Sequence, residues 1–107
     1  MSIKEFFTFS AEKRFAQKLA EGLAKDIPAD LKGSKGKPLT VNRITRFIEQ
    51  ACDSAQDFQK TRKMGVISRA MMANSFKWAL VERGYSNDFV DMATEALVVA
   101  LAKRRVD

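Results

Sequence analysis

The chain contains no histidine among its 107 residues. That removes the side chain that most often serves as a general base near neutral pH, and with it the commonest zinc ligand. There is one cysteine, Cys52, so no disulfide can close within the chain. A reducing compartment, the cytoplasm, is the expected setting. No apolar run approaches the roughly 18–20 residues of a membrane-spanning helix, so no membrane contact is expected. The opening MSIKEFFTFSAEKRFAQ carries Glu5 and lacks the uninterrupted apolar segment of a secretory signal. Outside eight phenylalanines the aromatic supply is one Trp and one Tyr, which leaves few rings for stacking on bases. Internal repeats and long low-complexity tracts are also missing.

What is present reads as helix almost throughout. The pattern predicts an all-α single domain over 1–107, a compact bundle of about four helices at approximately 10–26, 40–60, 66–83 and 87–104. Ser10 is a suitable cap for the first, in which Phe15, Leu19 and Leu23 recur every four residues with Ala16, Ala20 and Ala24 beside them. Pro28 ends it. Thr40 opens the second, where Val41, Ile44, Ile48, Ala51, Ala55 and Phe58 step by three and four as an amphipathic seam. Gly65 marks the break that follows. In the third helix Ile67, Met71, Met72, Ala73, Phe76, Trp78, Leu80 and Val81 spread around the whole circumference, which predicts a central, buried helix. Gly84 stops it, and Ser86 or Asn87 caps the fourth. Asp88 and Asp91 near its start, and Lys103, Arg104 and Arg105 at its end, complement the helix dipole. The segment IKEFFTF before the first helix fits an extended lid or an extra helical turn.

The stretch LKGSKGKPLT, residues 31–40, invites comparison with a phosphate cradle. A P-loop needs G-x-x-x-x-G-K-[ST] between a strand and a helix. Here the glycines are three apart, Pro38 removes a donor and no strand precedes. The better reading is a flexible Lys/Gly-rich loop at about 28–39.

Catalytic materials are thin, and no enzyme activity, cofactor, metal site or small-molecule substrate is implied. Cys52 sits beside the apolar seam as a small core residue. Glu49, Asp53 and Asp57 form a carboxylate row at four-residue spacing, which reads as a solvated helix face. Tyr85 is placed to anchor the turn after Gly84.

Charge suggests a partner instead. The net charge is +6, and two segments, 32–46 and 58–81, hold five basic residues each and no acid. A non-enzymatic binding module for an anionic partner is expected, with nucleic acid contacted through its phosphates. The contacts would be Arg43, Arg46, Lys60, Arg62, Lys63 and Arg69. If Gly65 were the turn of a helix-turn-helix, Ser68, Arg69 and Asn74 would face a groove. The alternative is a protein-interaction or dimerisation module, because Met64, Met71, Met72, Trp78 and Met92 offer an adaptable apolar surface. One continuous basic face would favour nucleic acid; basic groups scattered around an apolar patch would favour a protein.

Overall fold

The computed structural model describes residues 9–103. Most of IKEFFTF, together with Arg104 and Arg105, lies outside the described residues. Four helices account for most of the rest: α1 (Ser10–Asp26), α2 (Val41–Thr61), α3 (Val66–Glu82) and α4 (Asn87–Ala102). The described residues contain no strand, only one isolated bridge between Lys32 and Pro38. No described helix is long and apolar enough to cross a membrane.

The helix ends have identifiable causes. Pro28 follows α1 closely, and the Thr40 hydroxyl accepts from the Arg43 N–H at 3.2 Å to cap α2. Ser86 does the same for Phe89 at 3.2 Å. Gly84 adopts φ +90, the left-handed conformation that a side chain would resist, and turns the chain from α3 into α4. One expected cap is corrected: Phe9 holds the cap position of α1, and Ser10 is the first helical residue. The last helix also ends earlier than expected, at Ala102, where the Lys103 N–H closes onto Val99 O at 3.1 Å.

α1 packs most extensively on α3, α3 on α4, α4 on α2, and α2 more lightly on α1, which closes a ring of four. α2 and α3 are consecutive in sequence, yet their backbones do not pack side by side; Ile48, Ala51 and Cys52 of α2 reach Phe76 of α3 only through side chains in the shared core. Directions follow from single contacts. The Phe15 ring stacks on Phe58 at 4.3 Å and Glu12 meets Arg62, so α1 and α2 run oppositely. Gln56 reaches Ala100 O at 3.1 Å while Ile48 and Cys52 lie beside Ala93 and Leu97, so α2 and α4 run the same way. Neighbours in the ring are therefore two parallel pairs, α1 with α3 and α2 with α4.

The core is continuous from Ala16, Ala20, Leu23 and Ile27 through Met72, Phe76 and Leu80 to Phe89, Ala93, Leu97 and Leu101. In α1 the small alanines lie deepest, while Phe15 and Leu19 are half-buried. Small side chains are what allow a neighbouring helix to approach closely. α3 holds Phe76 and packs on two helices, but its circumference is not fully covered. Val66, Ile67, Trp78 and Val81 are exposed, because among the described helices only α1 and α4 pack along it.

The 28–40 loop has a defined path. Leu39 N–H donates to Leu31 O at 2.9 Å and Gly33 N–H to Lys37 O at 2.7 Å, while Leu31 and Leu39 pack against the core. Its lysines project outward from that frame.

Candidate partner-binding groove

The six basic residues expected to meet an anion do not form one surface. Arg43 and Arg46 lie at the start of α2, and Lys60, Arg62, Lys63 and Arg69 at its far end or beyond. About 30 Å of helix separates the ends, at 1.5 Å per residue. Between them, on the same exposed side of α2, run Glu49, Asp53 and Asp57, whose positions at 100° per residue interleave with those of Arg46 and Lys60.

Several of the six are also engaged. The Arg62 guanidinium lies 3.2 Å from Glu12 Oε1 and 5.7 Å from the Phe58 ring centre. Glu12 itself is almost fully buried, and its other oxygen has no partner among the described residues. Arg69 donates to Leu101 O at 3.3 Å, satisfying a carbonyl at the end of α4. Arg43 lies over the Phe47 ring at 6.0 Å. The backbones of α2 and α3 also do not pack closely against each other, unlike the two helices of a helix-turn-helix. Of the six, only Arg43 belongs to the cluster of cations that does converge. Lys25, Lys32, Lys37 and Arg43 line a cleft of about 570 Å³ beside the 28–40 loop, with Asp26 as its one acid.

A larger concave surface lies elsewhere, between the parallel helices α2 and α4. This groove has a volume of about 1210 Å³. Ile44, Ile48 and Cys52 from α2, and Ala96 and Ala100 from α4, form its floor. Val41, Met92 and Val99 stand along its edges with relative exposures of 78%, 43% and 47%. Glu49, Asp53 and Glu95 place carboxylates on the rim, and Lys103 lies at the end near Gln56. The α4 contribution, Met92, Glu95 or Ala96, Val99 and Lys103, repeats at helical spacing. Apolar residues on the wet side of α4 were therefore the legible signal for this groove. The pairing of that stripe with α2 was not legible from either helix alone.

The methionine and tryptophan set divides. Met72 is buried, Met64 and Met71 are half-buried, Met92 edges the groove, and Trp78 lies on α3 away from it.

Cys52, in the groove floor, is a poor nucleophile. Burial pushes its thiol above the ordinary range, and the negative charges of Asp53 and Glu49 push it further the same way. Tyr85 is buried, stacks on Phe89 at 4.7 Å, and donates its hydroxyl hydrogen to Ile27 O. It ties the α3–α4 turn to the end of α1. No group of three metal-ligating side chains comes together among the described residues.

Comparisons with protein-family models, with curated proteins and with solved structures return no match.

Proposed function

We propose that the protein is a non-catalytic helical binding module whose partner docks as an amphipathic helix in the α2–α4 groove. The observation that carries this reading is the open apolar groove edged by Val41, Met92 and Val99, side chains that a lone soluble domain gains nothing by exposing. From Val41 to Gln56 it offers about 22 Å, room for roughly four turns of helix at 5.4 Å each. The rim carboxylates call for a partner with basic residues beside its apolar face, and Lys103 repels such residues at one end and so sets the partner's direction. The scatter of the six expected phosphate contacts argues for a protein over a nucleic acid. The raised thiol pKa of Cys52 argues for binding over catalysis.

The test is a titration of the ¹⁵N-labelled protein with an 18-residue amphipathic peptide whose apolar stripe is flanked by lysines, and with its glutamate-flanked counterpart. Amide shifts are expected across 44–56 and 92–103 with the lysine peptide, and binding at least tenfold weaker with the glutamate one. No shift at millimolar peptide, or shifts centred on other helices, would overturn the reading.

The anionic-partner reading keeps one supporting observation, the cleft lined by Lys25, Lys32, Lys37 and Arg43. Under that reading duplex DNA binds at low salt with a log–log salt slope of about −0.9 per phosphate contacted. Replacing Lys32 and Lys37 with alanine then reduces the slope, and replacing Lys60 and Lys63 leaves it unchanged.

A further inference from the structure

Among the described residues the groove is not alone as an unpartnered apolar face, and a second face carries the opposite charge. Along α3 the exposed side chains Ile67, Ala70, Asn74, Lys77, Trp78 and Val81 recur at spacings of three and four. At 100° per residue they occupy a stripe about 100° wide, opposite the buried Met72, Phe76 and Leu80. Ile67 and Trp78 are 65% and 53% exposed. α3 carries no acidic residue before its last, Glu82. The face is an exposed apolar ridge along the helix with a lysine in it.

We infer that the occupant of the α2–α4 groove is the α3 ridge of a second copy of this chain, which rests on the reading of that groove as a docking site. Lengths agree: Ile67 to Val81 spans about 21 Å at 1.5 Å per residue, against about 22 Å for the groove. Charges agree as well, since Lys77 meets a rim of Glu49, Asp53 and Glu95. Neither face fits itself. Groove against groove would oppose two carboxylate rims, and ridge against ridge would oppose two lysines. Because the groove is lined by α2 and α4 alone and the ridge lies on the outer side of α3, opposite the buried Phe76, the two belong to different parts of the surface, and one copy can use both at once. An interface of two different patches is heterologous, so it propagates head to tail into a ring or an open chain.

Sedimentation equilibrium of the full chain tests this. The weight-average mass of wild type is expected to rise past that of a dimer at several hundred micromolar. A ridge variant, Ile67→Glu with Val81→Glu, and a groove variant, Val41→Glu with Val99→Glu, should each sediment as a monomer. An equimolar mixture of the two should form a 1:1 complex that grows no further, since each supplies the face the other lacks. Should the ridge variant fail to fold, the exposed change Lys77→Glu, expected to weaken association at least tenfold, takes its place in the mixture. Wild type that remains monomeric, or a mixture in which no complex forms, overturns the inference. If the lysine peptide still maps to the groove while the chain stays monomeric, only the identity of the occupant falls. If neither peptide nor chain occupies the groove, the docking site falls with it.

Discussion

The two parallel helix pairs are built on one plan and finished differently. Between α1 and α3, Ala16 and Ala20 are fully buried and the helices close on each other. One end of α1 is fastened by the Tyr85 hydroxyl on Ile27 O, the other by Arg62 of α2 on Glu12. Between α2 and α4 the Gln56 amide donates to Ala100 O, and the edges carry Val41, Met92 and Val99 with no helix over them among the described residues. Small residues at a seam let backbones meet; larger apolar residues set along its edges, with nothing opposite, leave a trough. The same fold thus supplies a closed side for stability and an open side for contact.

Damage to the closed side should be the most costly. Phe76→Ala removes a nearly fully buried ring shared by the whole core and is expected to lower unfolding free energy by about 3–5 kcal/mol in urea titration. A loss below about 1 kcal/mol would mean that the core does not centre on α3. Next comes a pair of neighbours. Arg62→Ala strands the buried Glu12 carboxylate and should cost about 1–3 kcal/mol, discounted because the arginine is itself 45% exposed. Lys63→Ala, at an exposed position, should stay within about 0.5 kcal/mol. Equal effects would place the pair outside the stabilising contacts.

Tyr85→Phe keeps the stacked ring and loses one buried hydrogen bond, an expected cost of about 1 kcal/mol. Burial raises the tyrosine's pKa above its ordinary value, although Arg83 pulls it down. The folded state therefore holds the proton more tightly than the unfolded chain. That contribution is complete below the ordinary value of 10.0 and fades as pH rises through the folded value. Alkaline unfolding curves of wild type and Tyr85→Phe should converge above that range; a constant offset between them would mean that the contribution of the hydroxyl does not depend on its protonation. The smallest effect belongs to the open side. Val99→Glu, at a half-exposed edge, should shift stability by no more than about 0.5 kcal/mol while abolishing peptide binding. A large loss of stability there would show that the groove is core.

Most of the helix boundaries were legible because they are written in local chemistry: Pro28, the Thr40 and Ser86 hydroxyls, Gly65 and Gly84. Ser10 misled because a capping residue also serves as a first helical residue. The Glu12–Arg62 pair was illegible, since nothing near either residue signals a partner fifty positions away. Arg62 and Arg69 read as surface cations for the same reason. Apolar character all around α3 predicted neighbours on every side, but composition does not say whether those neighbours belong to the same molecule. The groove depends on which helices lie side by side, and the adjacency of α2 and α4 is a property of the assembled ring.

That adjacency also bears on how the chain is made. A ribosome delivers α1 and α2 first, and their mutual interface is the slightest of the four. α3 then finds α1 and meets α2 only through side chains in the shared core. Only α4, the last of the four, touches both loose ends of the arrangement, as a keystone does. The nascent chain therefore leaves much of the apolar seam of α2 uncovered until α4 arrives, and over that interval it presents the kind of surface that chaperones bind.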